Sequence, residues 1–199
     1  MSTPSKMNET ELIQQICNGN PQAFRYLVKQ YERLVFHVAG RLLNQQEDLE
    51  DVAQEVFIKV HQKLPEFRGD SKLSTWIATI AYRVSVNHLK KRKPDVDIGE
   101  SQYELFQHSR VSDENPEQLT QKKELKEMVR QMVDRLPAQY KTVLSLYHLE
   151  EYGYNEIVEI TGLPEGTVKN YIFRARKMLK EMLVKSELKR DSRYDRKEL

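Results

Sequence analysis

One cysteine in 199 residues excludes an intrachain disulfide framework. No apolar run approaches membrane-spanning length, and the opening MSTPSKMNETE lacks a signal-peptide core. A cytoplasmic protein with no membrane insertion of its own is expected. Strand-type alternation is missing throughout, and so is a glycine-rich phosphate loop. His37, His61, His88, His108 and His148 include no pair at metal-ligand spacing, and no Ser or Cys sits in a recognisable nucleophile motif. Catalytic residues, metals and cofactors are therefore not expected, and enzyme chemistry has no support. Cys17 shares an apolar face with Leu12, Ile13 and Ile16, which predicts a small core residue rather than a redox switch.

What is present is helical. Hydrophobic residues make up 39% and charged residues 31%, as in helices with one buried stripe and solvated faces. The net charge of +2 hides a pattern. Residues 1–93 carry 14 Lys and Arg against 10 Asp and Glu, a balance of +4. Residues 94–120 carry one Arg against seven acids, and residues 121–199 carry 17 bases against 13 acids. Two mildly basic blocks thus flank an acidic connector, as two nucleic-acid-facing modules on a tether would.

Along the chain, Glu9 to Asn18 reads as a short amphipathic helix, ended by Gly19-Asn20. Asn20 can cap the next helix, with Pro21 in its first turn. That helix carries a stripe of Phe24, Leu27, Val28, Tyr31, Leu34, Val35, Val38, Leu42 and Leu43. The following helix buries Leu49, Val52, Val56, Phe57, Val60 and Leu64, and lines Asp51, Gln54, Glu55 and Lys59 along a polar strip. On sequence physics alone that strip is a solvated face.

Pro65 ends this helix, and FRGDSKLST makes a turn with Ser71 and Ser74 as possible caps. WIATIAYRVSVNHLKKRK is apolar on more than one side. Trp76, Ile77, Ile80, Ala81 and Val84 point to a core, while Tyr82 and Val86 point elsewhere. Arg83, Asn87 and Lys90 share another face, and four cations close the helix. Cations suit a helix C-terminus in any case. A basic helix with exposed aromatics also suits unpaired bases and phosphates.

The connector from Pro94 is acidic and aperiodic, a flexible tether with Tyr103, Leu105 and Phe106 as an apolar cluster. After Pro116 the stripe Leu125, Met128, Val129, Met132, Val133 and Leu136 runs to Pro137. Tyr140, Val143, Leu144 and Tyr147 follow. Tyr154 to Leu183 then reads as two helices about the turn Gly162-Leu163-Pro164-Glu165-Gly166. Val168, Ile172, Ala175 and Leu179 form a buried stripe, opposite Lys169, Asn170, Phe173, Arg174 and Lys177. Short helix, glycine-containing turn, and a second helix with Thr167 near its start make a helix-turn-helix reader of the DNA major groove. An ordinary helical hairpin with a basic face is the alternative. Phe173 argues against it, because a large apolar residue amid cations suits a thymine methyl better than water. Beyond Leu183 the charged tail reads as frayed.

Four pieces in this order, DVAQEVFIKV, FRGDSKLSTWIATIAYR, LPAQYKTVLSLYHLEEYGYNEIVEITGLPEGTVKN and YIFRARKMLK, resemble the extracytoplasmic-function group of bacterial sigma-70-type RNA polymerase sigma factors. The resemblance covers residues 9–93 and 116–183. It implies an all-α fold of two small helical domains, an N-terminal bundle over residues 1–93 and a helix-turn-helix domain over 117–184. An acidic linker over 94–116 joins them, and a charged tail over 185–199 follows.

The resemblance also implies roles. Asp51, Gln54, Glu55 and Phe57 match the helix that docks on the β′ clamp of core polymerase, against the solvated-face reading. Arg68, Ser71, Lys72, Ser74, Trp76, Tyr82, Arg83, Asn87 and Lys90 match the segment that opens the −10 promoter element and holds an extruded base. Thr167, Lys169, Asn170, Phe173, Arg174 and Arg176 match the set reading the −35 element, with Arg176 fitting helical geometry least and suiting a phosphate at the flank. Implied partners are core RNA polymerase through the β′ clamp and β flap, promoter DNA and an anti-sigma factor. Arg83 stands where many members carry Asn, which puts the −10 base preference in doubt. The acidic connector replaces an extra domain of larger relatives, and its charge suggests a nucleic-acid mimic in a basic channel. The rivals are a stand-alone helix-turn-helix regulator and a non-DNA helical adaptor.

Overall fold

Capping chemistry sets the first boundaries. In the computed structural model, which describes residues 8–43, 45–92 and 121–194, α1 spans Glu9–Cys17 and α2 spans Pro21–Ala39. Asn20 caps α2: its side chain accepts from the backbone N–H of Gln22 at 3.0 Å and of Ala23 at 3.4 Å. Helix α3 (Gln46–Lys63) runs into a 3₁₀ turn at Leu64–Glu66, and α4 covers Leu73–Arg92. In the second half, α5 is Gln121–Asp134, α6 Ala138–His148, α7 Tyr154–Thr161 and α8 Glu165–Tyr194. No strand occurs among the described residues.

Helices α1 to α4 form one bundle. Its core is Leu12, Ile16, Leu27, Val35, Val38, Val52, Val56, Val60, Leu64, Leu73 and Ile77, all buried. Helices α5 to α8 form a second bundle around Val143, Leu146, Ile157, Ile160, Val168 and Ile172. The two cores are continuous, because α7 packs along α4. Helix α4 therefore has neighbours on three sides: α2, α3 and α7. That placement explains why its sequence shows no single stripe. Even its small polar residues are buried, with Thr79 Oγ1 donating to the Thr75 carbonyl at 2.9 Å and Ser85 Oγ to the Ala81 carbonyl at 2.8 Å.

Four expectations need correction. Cys17 is exposed rather than a core residue. It lies at the edge of the α1 stripe, where Ile13, one turn earlier, is itself only half-buried. Val129 is exposed, since α5 meets the rest of its bundle mainly through α8. Tyr82, read as pointing away from a core, is a buried core residue. The charged tail does not fray at Leu183, because α8 stays helical to Tyr194 through good helix formers such as Lys, Glu, Leu and Arg. The connector, with its Tyr103, Leu105 and Phe106 cluster, lies outside the described residues.

Candidate nucleic-acid and polymerase interface

The turn between α7 and α8 is built by backbone. Gly162 caps α7 at φ 73°, a left-handed conformation that a Cβ disfavours, and its N–H donates to the Val158 carbonyl at 2.8 Å. Pro164 follows, and α8 starts at Glu165. Val168, Ile172 and Ala175 are buried as expected, Leu179 is half-buried, and Tyr171 and Met178 widen the stripe. Tyr171 meets Tyr140 edge-on at 4.9 Å. On the opposite side Phe173 is 68% exposed, the most exposed large apolar side chain among the described residues. Lys169 and Arg176 are exposed, and Thr167, Asn170 and Arg174 are half-buried around them. Arg174 Nη1 lies 3.5 Å from the Tyr140 hydroxyl, which braces the guanidinium from behind. Of the six residues assigned to the −35 set, Lys169, Asn170, Phe173 and Arg174 lie along one side of α8, with Thr167 and Arg176 at its two opposite edges.

A ladder of rings flanks that surface, and the sequence reading missed it. Lys169 Nζ lies 5.6 Å over the Tyr154 ring, Tyr154 stacks on Tyr147 at 5.2 Å, and Arg176 lies 5.5 Å over Tyr147. Lys169 also pairs with Glu165 at 2.6 Å, and this hydrogen bond, with the carboxylate charge, raises its pKa. Arg176, the residue that fitted helical geometry least, is held by Tyr147 and by His148. The only signal in the sequence was two tyrosines near the start of the helix-turn-helix.

On the first bundle, the 66–75 loop and α4 bring the second set together in part. Arg68, Lys72, Arg83, Asn87 and Lys90 are exposed, while Ser71, Ser74 and Trp76 are half-buried. Trp76 packs on Phe67 at 5.3 Å between centroids. Tyr82 is only 9% exposed, and burial, then the electrostatic influence of Tyr171, raises its pKa. Tyr152 is buried, and burial pushes its pKa up to about 12. Lys72 Nζ reaches Glu156 Oε1 at 3.1 Å, and Thr75 Oγ1 donates to the same oxygen at 3.2 Å.

Of the third set, Gln54 and Phe57 line a groove of about 620 Å³ between α2 and α3, and Asp51 and Glu55 do not. Phe24, Val28, Phe36, Ala53, Phe57 and Ile58 give it an apolar floor, and Gln54 stands on its wall. Phe57 is half-buried rather than a full core residue, and Asp51 and Gln54 are exposed. Glu55 is half-buried and pairs with Lys59 at 2.7 Å. Ile58, 57% exposed at the groove, was not singled out in the sequence, because it falls between the stripe and the polar strip.

Comparison with known proteins matches two family models in chain order: Sigma-70 region 2 over residues 27–94 and Sigma-70, region 4 over residues 126–179. The RNA polymerase sigma-H factor of Pseudomonas aeruginosa is 33% identical over 180 residues, covering 88% of this chain and 93% of that protein. The ECF RNA polymerase sigma-E factor of Escherichia coli strain K12 is 33% identical over 179 residues, covering 87% and 93%. Among solved structures, CnrH in complex with the cytosolic domain of CnrY matches with TM-score 0.58 at 20% identity, over 86% of this chain and 94% of that one. The sigma factor RpoE in complex with the anti-sigma factor NepR from Bartonella quintana matches with TM-score 0.59 at 21% identity, over 80% and 96%. These last two support the fold.

Proposed function

Because the chain belongs to the extracytoplasmic-function group of sigma-70-type RNA polymerase sigma factors, we propose that it is a dissociable, cytoplasmic initiation subunit that leaves all chemistry to the polymerase. It binds core RNA polymerase, directs it to one class of promoter and helps to melt the start region. Residues 1–93 form the core-binding and −10 module, residues 117–184 the −35 module, and residues 94–116 the linker.

The groove between α2 and α3 carries this reading over a stand-alone regulator. A protein that only reads DNA through α8 has no use for an open apolar groove, with Ile58 and Phe57 in it, on a separate bundle. A docking helix from the polymerase β′ clamp does. Asp51, Gln54 and Glu55 give that contact its polar rim.

On α8, Lys169 and Arg176 serve phosphates from their aromatic perches, and Asn170, Phe173 and Arg174 meet base edges and thymine methyls. Much of the promoter affinity then comes from phosphate contacts and falls with salt. On the first bundle, half-buried Trp76 offers a stacking surface for unpaired bases and buried Tyr82 offers none, with Arg68, Lys72, Arg83, Asn87 and Lys90 supplying donors and charge. The β flap is the second polymerase contact, made by the C-terminal module. An anti-sigma factor is a further partner, by analogy with the RpoE–NepR complex of Bartonella quintana.

Run-off transcription with purified core polymerase on a genomic fragment library tests this. A promoter-specific product that needs both core and this chain is expected. Its absence, with active core and folded protein, would sink the reading.

A further inference from the structure

Two cations of α8, Lys169 and Arg176, stand two helical turns apart, or about 10 Å, along one edge of its exposed surface. Each is seated on a ring from a different helix. Lys169 Nζ lies 5.6 Å over Tyr154 of α7, and the Arg176 guanidinium lies 5.5 Å over Tyr147 of α6. The two rings meet at 5.2 Å between centroids. They therefore set the spacing of the two cations, which lie too far apart to share one phosphate.

Arg176 needs such support more than Lys169 does. It falls at the margin of the surface, beside the buried stripe, where an unsupported arginine has many rotamers that binding must freeze. His148, the last residue of α6, removes that freedom. Its ring stands edge-on to Tyr147 at 5.0 Å, and its Nε2 takes hydrogen bonds from Arg176 Nε at 3.3 Å and Nη2 at 3.0 Å. Ring and acceptor thus grip the guanidinium by a face and an edge. Neither bond uses Nη1, whose N–H groups suit phosphate oxygens. The grip lies at the surface: His148 and Arg176 are exposed and Tyr147 is half-buried. It is not needed to fasten α8 on α6, because the buried edge-on pair of Tyr140 and Tyr171 already joins those helices.

Only a neutral imidazole can hold Arg176 in this way. Nε2 must accept, whereas a protonated ring would turn an N–H and a charge on the guanidinium. Burial, then the charge of Arg176, lowers the His148 pKa below its ordinary 6.5. Arg176 is the charged group that faces His148 from α8, Tyr147 faces it from its own helix, and Tyr154 of α7 and Lys169 of α8 lie one ring beyond. We propose that Tyr147 and His148, at the end of α6, are positioning residues for −35 recognition: together they hold Arg176 toward a backbone phosphate at the flank of the element, and the hold is released when His148 gains a proton. This rests on the −35 reading of α8.

The test uses holoenzyme assembled from core polymerase and the full chain, on a promoter duplex found by run-off. Affinity is measured against salt, with native phosphates and with methylphosphonates flanking the −35 element. His148→Ala should lose about two- to fivefold in affinity and reduce the salt slope by about 1, as Arg176→Ala does. Joining the two substitutions should cost no more than Arg176→Ala alone. A methylphosphonate at the contacted position should erase the difference between the unaltered and substituted chains. His148→Gln keeps an acceptor and should retain most of the affinity. Lowering the pH from about 8 to about 5.5 should weaken the unaltered holoenzyme relative to His148→Gln, because glutamine does not titrate. If circular dichroism shows His148→Ala to be unfolded, that pH comparison decides alone. An unchanged salt slope or additive losses would overturn the proposal. So would an affinity that rises relative to His148→Gln as the pH falls, since the histidine would then act only as a cation. If Arg176→Ala leaves affinity unchanged while promoter-specific run-off persists, this proposal fails and the sigma reading stands. Absence of any promoter-specific product would sink the sigma reading and this proposal with it.

Discussion

Arg176 donates from Nε at 3.3 Å and from Nη2 at 3.0 Å to the same atom, Nε2 of His148. An arginine cannot accept, so the imidazole is neutral at Nε2 and its proton sits on Nδ1. Burial, then the charge of Arg176, lowers the His148 pKa below its ordinary 6.5. A base with a depressed folded pKa stabilises above its unfolded value and loses that stability as pH falls through the folded one. Thermal melts should therefore lose stability below pH 6.5, and His148→Gln should flatten that part of the profile. The effect should stay below about 1 kcal/mol, because the side chain is exposed and screened.

Glu156 ties three elements. Its Oε2 accepts from the Gly153 N–H at 2.9 Å, and its Oε1 accepts from Lys72 and Thr75. The Gly153 bond is the largest reason its pKa lies below the ordinary 4.5, with Lys72 and Thr75 adding to it. A depressed carboxylate gives its full stabilisation above its unfolded value and loses it as pH falls through the folded one. Glu156→Gln should cost about 1 kcal/mol at pH 7, on the scale of a lost helix cap, and less at pH 4. Urea unfolding at the two pH values measures the difference.

Ile58 is the sharpest probe of the groove. An exposed apolar side chain contributes little to the fold, so Ile58→Asp should leave thermal stability within about 0.5 kcal/mol. Affinity for core should fall at least about tenfold, or about 1.4 kcal/mol. Asp51→Ala with Gln54→Ala should weaken core binding too, through the rim, while the DNA affinity of the C-terminal module stays unchanged. Fluorescence anisotropy with labelled chain and titrated core reads both.

On α8, Lys169 and Phe173 should fail in different ways. Lys169→Ala should weaken −35 binding across sequences and reduce the salt slope by about 1. Phe173→Ala should lose affinity at thymine-containing positions with the slope unchanged. Equal slopes for the two variants would contradict the division of labour.

Arg83→Asn should alter base preference at the −10 element only. Arginine favours guanine edges and phosphates, whereas an amide pairs with adenine. Run-off on promoters varied singly at each element reads the change, and a shift at −35 would show the assignment to be wrong.

The chain by itself determined its helices, because each rests on local chemistry: Asn20 before Pro21, Gly162 before Pro164, and apolar residues returning every three or four positions. The faces of α8 follow from the same periodicity, since a helix surrounded by solvent on one side must separate its residues. Only tertiary structure decided the rest. Tyr82 is buried and Cys17 exposed because burial depends on which neighbour arrives, and α4 receives a second bundle that no local pattern announces. Ile58 and the α2–α3 groove follow from how two helices diverge, and the tyrosine ladder from how α6, α7 and α8 meet. Helices α4 and α7 bring together residues 81 positions apart, Thr75 and Glu156, whose pairing depends on spatial packing that sequence spacing does not express.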